Sequence, residues 1–286
     1  MEITAKTKKV GLFGWPLGHS LSPVMHNAAF AVTGLDYVYL PLPVAPEFLA
    51  QAVEGIRALG FRGVNVTIPH KIAVMEYLDE IDSSAKLVGA VNTIVVDDGR
   101  LIGYNTDAKG YIRSLKEAGV NAAGKSAVIL GAGGAARAVV AGFIEAGAAS
   151  VVVAARDKSK AGNMANLFSA SAPVSGVSWD SEEFAAALAN AGIVVNATPL
   201  GMYPETKKQP PVEWDLLQSS TVISDLVYNP LITSFLAEGT RRGYTVVGGE
   251  GMLIEQGALA FELWTGSKAP TKIMRQALLS GLNNKN

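Results

Sequence analysis

A short apolar run, Ser126-Ala127-Val128-Ile129-Leu130, leads directly into Gly131-Ala132-Gly133-Gly134-Ala135-Ala136. This is G-x-G-x-x-A at the joint between a strand and a helix, and few folds accept it there. The first glycine permits a tight turn. Gly133 lets backbone N–H groups approach a pyrophosphate, and Ala136 lets the helix lie close on the strand. The helix N-terminus adds further donors and the positive end of its dipole. A glycine-rich turn alone would be a weak signal. Here a helix over 135–146 and a further strand over 150–155 follow in order, so the segment is read as a dinucleotide-binding unit.

That further strand ends Val153-Ala154-Ala155-Arg156-Asp157. A carboxylate near this point ordinarily receives the ribose 2′-hydroxyl of NAD, whereas an arginine suits the 2′-phosphate of NADP. Arg156 therefore points to NADP as cofactor. Lys160, one turn on if a helix begins at Asp157, supplies a second cation. Asp157 has two readings: it caps that helix, or it accepts from a ribose hydroxyl as in an NAD enzyme.

Around this unit the chain alternates strands and helices. Strands are expected at 9–13, 37–41 and 63–68, with helices over 45–59 and 72–78. Another helix starts at Ser22-Pro23, with Ser22 as N-cap and Pro23 at the first helical position. Segments 90–97 and 100–105 form a hairpin about Asp98-Gly99. Later come helices near 109–118, 181–191 and 233–242, strands at 193–197, 221–225 and 245–248, and a helical tail from Met252. This alternation implies an α/β chain with mostly parallel sheets covered by helices.

The 286 residues suffice for two domains. With no cysteine, disulfides, thiolate metal sites and cysteine nucleophiles are excluded, which fits a cytoplasmic location. Net charge is -1 without a basic stripe, so nucleic acid is not an expected partner; Lys6, Lys8 and Lys9 read as a solvated end. Val10 to Trp15 is too short for a signal-peptide core and is followed by Pro16. The richest apolar stretch, 126–155, carries Arg137, Glu145 and the glycine cluster, so no membrane span is expected. A homodimer is an assembly the sequence allows.

The other half carries polar groups where strands end. Ser20 and Ser22 stand where the first strand gives way to a helix, a plausible carboxylate clamp. In Asn65-Val66-Thr67-Ile68-Pro69-His70-Lys71, Asn65 and Thr67 alternate at the end of an apolar strand, and Lys71 follows a proline corner. Two further Asn-Thr pairs, Asn92-Thr93 and Asn105-Thr106, read as a wall of hydrogen-bonding groups for a polyhydroxylated ligand. Asp107 lies at the join of the two halves. His19, His26 and His70 have no ligand spacing and no nearby carboxylate cluster, so no metal is expected.

These segments resemble the signature motifs of the shikimate dehydrogenase family, in the family's order and along nearly the whole chain. The resemblance extends through Asn196-Ala197-Thr198-Pro199-Leu200-Gly201-Met202, Asp225-Leu226-Val227-Tyr228-Asn229-Pro230, Gly249, and Met252-Leu253 to Gln256. It implies that Ser20 and Ser22 bind a substrate carboxylate and that Lys71 and Asp107 are the catalytic pair. It further implies that Thr67, Asn92, Tyr228 and Gln256 surround the substrate ring. Cofactor contacts are implied for Gly131, Ala132, Gly133, Gly134, Ala135, Arg156, Thr198, Leu226 and Gly249. The family often has Asn-Arg-Thr where this chain has Ala155-Arg156-Asp157, so only the arginine is kept.

The organisation implied is a substrate domain over 1–106, completed by 250–286 so that Gln256 returns to the substrate motifs, and a Rossmann-like NADP domain over 107–249. In the reaction implied, NADPH delivers hydride to the C3 ketone of 3-dehydroshikimate, Lys71 donates the proton, and Asp107 positions it. Asp157 keeps open an NAD-using quinate/shikimate dehydrogenase. A non-catalytic sensor of shikimate-like ligands would not need both Lys71 and Asp107. A folate-linked dehydrogenase is disfavoured by the paired serines and the Asn-Thr wall.

Overall fold

A computed structural model describes residues 2–18 and 20–283. The chain divides into two units, Met1–Thr106 with Ile254–Asn286, and Asp107–Leu253.

In the first unit, strands β1 (Lys8–Gly14), β2 (Tyr37–Pro43) and β3 (Phe61–Val66) run parallel, with helices α1 (Ser22–Thr33) and α2 (Leu49–Ala58) as crossovers. β4 (Glu80–Ile81) and α3 (Ser83–Val88) lead to the hairpin β5 (Thr93–Asp97) and β6 (Arg100–Tyr104). Among the described residues the sheet order is β2-β1-β3-β5-β6-β4. Asp98 (φ 44°) and Gly99 (φ 79°) both take the left-handed conformation. That is the backbone a two-residue hairpin turn needs, and Asp-Gly supplies it at low cost. Because β5 is antiparallel to β3 and to β6, the start of β5 lies at the same sheet edge as the ends of β3 and β6.

The second unit begins with α4 (Asp107–Glu117). It continues through β7 (Ser126–Leu130), α5 (Gly134–Glu145), β8 (Ser150–Ala155), α6 (Lys158–Asn166), β9 (Val174–Ser178), α7 (Glu182–Ala189), β10 (Ile193–Asn196), β11 (Val222–Asp225), α8 (Ser234–Arg241) and β12 (Thr245–Val247). All its strand pairs are parallel, in the order β12-β11-β10-β7-β8-β9. This is the doubly-wound order of nucleotide-binding sheets, whose switch point lies between β7 and β10. Parallel strands buried on both faces explain runs such as Ala127–Leu130 and Ile193–Val195, which are almost fully buried. Phe184, Leu188, Trp214 and Phe235 join one core cluster. Tyr111 of α4 and Phe143 of α5 meet edge-on with ring centroids 5.7 Å apart. Each such aromatic contributes about 1.5–3 kcal/mol by burial.

Helix α9 (Glu250–Thr265) follows, and α10 (Thr271–Asn283) ends the described chain. From Ile254 onward these helices belong to the first unit. Tyr37 donates to the Trp264 carbonyl at 3.1 Å, and Trp264 Nε1 donates to the Ile94 carbonyl at 3.0 Å. A side chain at Gly63 would strike both the Trp264 indole and the Ile94 carbonyl. The glycine is therefore what lets α9 dock on this sheet.

The structure departs from sequence expectation in several places. Ser22 is not the N-cap of α1: Leu21 holds that position, without a side-chain cap, and Ser22 is the first helical residue. The segment expected as one helix over 45–59 opens with a 3-10 turn, Pro46–Phe48, before α2. The helix expected at 72–78 is a 3-10 turn over Ala73–Tyr77. β4, α3 and β9 were not anticipated.

Candidate active site

The G-x-G-x-x-A segment has the expected local geometry. Gly131 directly follows β7 with φ 115°, and a Cβ on it would sit 3.0 Å from the Ala197 carbonyl oxygen and 3.0 Å from Thr198 Cγ2. Only glycine fits both the conformation and the space. Gly133 is the N-cap of α5 and brings no side chain to the helix end, while Gly133, Gly134 and Ala135 are exposed. The unpaired first-turn N–H groups of α5 thus face outward, as an anion site requires. Ala136 is fully buried, and at Gly142 a Cβ would lie 2.9 Å from the Ala108 carbonyl, which sets the close packing of α4 on α5.

At the end of β8, Arg156 and Lys160 are exposed. Asp157 is the N-cap of α6: its Oδ1 accepts from Ser159 N at 2.9 Å, Ser159 Oγ at 2.6 Å and Lys160 N at 3.3 Å. The Ser159 hydroxyl, then the Lys160 amide, hold this carboxyl below the usual carboxylate range. Of the two readings of Asp157, the cap describes the structure.

Thr198, Leu226, Tyr228 and Gly249 follow β10, β11 and β12. With Gly131 and Arg156 they lie beyond the carboxyl ends of parallel strands, where open α/β sheets bind ligands. Gly249 is buried, and a side chain on it would strike the Leu226 carbonyl. The Tyr228 phenol is half-buried and its pKa is raised by burial.

In the first unit, Ser20 Oγ accepts from Ser22 N at 3.3 Å, so the two serines share one turn at the start of α1. Ser22 is buried at the start of α1. Tyr39 donates to Asn65 Oδ1 at 2.8 Å. Asn65 Nδ2 donates to Thr93 Oγ1 at 3.0 Å and to the Asn92 carbonyl at 3.3 Å. Thr93 donates to Asn92 Oδ1 at 3.0 Å, which also accepts from Thr106 N at 2.8 Å; Asn92 Nδ2 donates to Thr106 Oγ1 at 2.9 Å. Two backbone groups, the Asn92 carbonyl and the Thr106 N–H, therefore fix both amides in one orientation. Asn65, Asn92, Thr93, Asn105 and Thr106 are all buried. The polar wall expected from the Asn-Thr pairs is a continuous hydrogen-bonded relay across β3, β5 and the end of β6. Burying so many polar groups is tolerable because their partners are supplied.

Thr67 and Lys71 are half-buried just past β3. Thr67 N donates to the Phe13 carbonyl at 2.8 Å, and the Lys71 carbonyl accepts from Val91 N at 2.8 Å, so backbone bonds fix both positions. Asp107 is buried as the first residue of α4. Gln256 is half-buried on α9. At the next position, Gly257, a Cβ would lie 3.3 Å from His26 Nε2.

The histidines have other occupations. His70 Nε2 lies 2.7 Å from the Val44 carbonyl, a bond only the protonated nitrogen makes. His26 is fully buried, stacked on Tyr39 with centroids 4.4 Å apart and 3° between planes. Among the described residues neither of its ring nitrogens has a hydrogen-bond partner, and burial lowers its pKa to about 3. His19 lies outside the described residues. Among the described residues no cluster of three His, Cys, Asp or Glu side chains could hold a metal, and no helix is long and apolar enough to cross a membrane.

Sequence reasoning did not single out Tyr39. Its ring belongs to a strand pattern, and its partner Asn65 is 26 residues away. Asn196 and Asp225 were read only within longer motifs, yet they bond each other at 2.9 Å beneath the loops that follow β10 and β11.

Residues 12–94 match the shikimate dehydrogenase substrate binding domain, 114–204 the shikimate / quinate 5-dehydrogenase family, and 249–279 the shikimate 5'-dehydrogenase C-terminal domain. The shikimate dehydrogenase (NADP(+)) of Symbiobacterium thermophilum is 50% identical over 96% of this chain and 94% of its own. A crystal structure of a shikimate dehydrogenase in complex with NADP+ superposes with a TM-score of 0.90 at 43% identity, covering 98% of this chain and 97% of the other. The shikimate 5-dehydrogenase of Listeria monocytogenes, in complex with shikimate and NAD, does so with a TM-score of 0.93 at 38% identity, over 96% and 98%. The chain belongs to the NADP-dependent shikimate dehydrogenase family of oxidoreductases.

Proposed function

We propose that this protein is a cytoplasmic shikimate dehydrogenase that reduces 3-dehydroshikimate to shikimate with NADPH, reversibly, in the biosynthesis of aromatic amino acids. The observation that carries the cofactor half is the pair at the end of β8. Arg156 is exposed at the end of β8, which pairs with β7, the strand that leads into α5, while the Asp157 carboxylate is used by its own helix. A 2′-phosphate would meet a guanidinium there without an opposing free carboxylate. Gly131 keeps the loop open for a pyrophosphate, and Lys160 adds charge.

When bound, the nicotinamide supplies the hydride for the C3 ketone. The chain's own residues do the rest. Ser20 and Ser22, at the start of α1, hold the substrate carboxylate. Asn92, kept rigid by Thr93 and Thr106, presents its amide to a ring hydroxyl, and Thr67, Tyr228 and Gln256 complete the recognition of the ring. Lys71 gives a proton to the oxygen that becomes the C3 hydroxyl, and Asp107 holds the neighbouring hydroxyl. In the reverse direction Lys71 takes that proton back. Holding the substrate in one pose is where most of the protein's contribution lies.

The test is isotopic. With NADPH deuterated at its transferable position and 3-dehydroshikimate as substrate, the product should be shikimate carrying one deuterium at C3. Unlabelled product, or no product from the folded enzyme, would overturn the proposal.

A further inference from the structure

Asp225 is fully buried at the end of β11, and among the described residues its partners include no cation. A carboxylate in that position is costly unless donors surround it. Its Oδ1 accepts from Asn196 Nδ2 at 2.9 Å and from Val227 N at 2.9 Å, and its Oδ2 accepts from Thr233 Oγ1 at 2.6 Å. Burial still outweighs these bonds and raises its pKa to about 6.

The donors show why an acceptor-only group stands there. Asn196, at the end of β10, has every hydrogen-bonding position in use. Its Nδ2 also donates to the Leu200 carbonyl at 3.1 Å, and its Oδ1 accepts from Thr198 N at 3.1 Å and Thr198 Oγ1 at 2.6 Å. The Thr198 hydroxyl in turn accepts from Leu200 N at 3.1 Å. Thr233 accepts from Leu236 N at 3.2 Å, capping α8, so its one hydrogen must find an acceptor elsewhere. Each amide and hydroxyl here already donates, and only a carboxylate can accept from all three groups at once. Two backbone bonds extend the tie between the loops: Leu226 N to the Asn196 carbonyl at 2.9 Å, and Tyr203 N to the Asn229 carbonyl at 3.0 Å.

The loop 197–201 presents Thr198 against Gly131, and the loop 226–233 presents Leu226 against Gly249 and carries Tyr228. We propose that Asp225, with Asn196, is a positioning pair that locks these two loops in register, so that a nicotinamide dinucleotide finds its site at the sheet edge already shaped. This rests on the dehydrogenase reading above. Neither residue touches the reacting atoms; both act through Thr198, Leu226 and Tyr228.

The test compares Asp225→Ala, Asp225→Asn, Asn196→Ala and the double alanine variant, measuring Kd for NADP by tryptophan fluorescence and kcat and KM with shikimate. Asp225→Ala should weaken NADP by about tenfold or more, because three buried donors lose their acceptor. Asp225→Asn should fall between wild type and Asp225→Ala, about three- to tenfold weaker than wild type, since one oxygen still serves Asn196 and Val227 while the Thr233 hydrogen loses its acceptor. The double variant should be no worse than the poorer single one, as expected for one network. Wild-type NADP binding by folded Asp225→Ala would overturn the proposal, as would additive losses in the double variant. If the alanine variants do not fold, Thr233→Val decides. It removes one donor to the carboxylate and should raise KM for NADP about three- to tenfold with little change in kcat; an unchanged KM would overturn the proposal. A wild-type enzyme that binds NADP but does not oxidise shikimate would count against the dehydrogenase reading, while the Kd series would still test the loops.

Discussion

Replacing Arg156 with alanine should weaken NADP and leave NAD nearly untouched, while the same change at Asp157 should leave the binding of both nearly unchanged. Arg156 is exposed at the end of β8, one residue before the cap of α6. A guanidinium bonding a 2′-phosphate is worth about 1.5–3 kcal/mol, or about a 10- to 150-fold preference for NADP. NAD has no phosphate there and loses only a weak contact. Asp157 already accepts from two backbone N–H groups and a hydroxyl of its own helix, within 3.3 Å. Its removal should therefore appear as a lost cap, a fall of roughly 2–4 °C in Tm, with the NADP to NAD ratio unchanged. The assay is kcat/KM for shikimate oxidation with each cofactor, in wild type and both variants. Equal losses for the two cofactors in Arg156→Ala would refute phosphate recognition by that arginine. A swing toward NADP on removing Asp157 would show that the carboxylate faces the cofactor after all.

Other outcomes follow from the same geometry. Lys71→Ala should lower kcat by roughly 10²–10⁴-fold with the fold intact, as loss of a general acid/base does, and near-normal turnover would remove Lys71 from that role. Gly131→Ala should abolish tight NADP binding, because the new methyl would meet the Ala197 carbonyl at 3.0 Å from a backbone at φ 115°; calorimetric titration checks this. His26 has its folded pKa depressed to about 3 from an ordinary 6.5, so its stabilising contribution is lost as pH falls from 6.5 toward 3. Relative to wild type, His26→Phe should thus gain about 1.4 kcal/mol per pH unit on acidification through that window, read from urea denaturation; a pH-independent difference would mean the imidazole is not held neutral. The comparison with the variant is needed because Asp225, raised to about 6, stabilises the fold increasingly as pH falls from 6 toward 3.8.

The second unit was the more legible in sequence, for physical reasons. β7 and β8 are parallel strands buried on both faces, so they read as unbroken apolar runs bounded by glycines or by Arg156-Asp157, and their limits were found to the residue. The hairpin was legible because Asp98-Gly99 names its own turn. β9 was not: Val174-Ser175-Gly176-Val177-Ser178 is a half-exposed edge strand without an apolar run. Its Gly176 is there because the Ala161 backbone presses on it, a contact that is not local in sequence. α3 carried legible caps, Asp82 and Gly89 (φ 63°), but at six residues it was too short for periodicity to show. In the candidate site, the residue types and their order along the chain were readable. The bonds that make Tyr39, Asn65 and Thr93 one relay, or Asp225 and Asn196 one tie, run between strands far apart in sequence, and a single sequence holds no signal for such pairings.

The most direct measurement of the central claim is kcat/KM for the purified wild-type protein in the four combinations of shikimate or quinate with NADP or NAD, followed by nicotinamide absorbance. Shikimate with NADP should exceed each of the other three, and the NAD reaction on shikimate should be lower by at least about tenfold. A preference for NAD or for quinate, or no oxidation of shikimate by a folded protein that binds NADP, would contradict it.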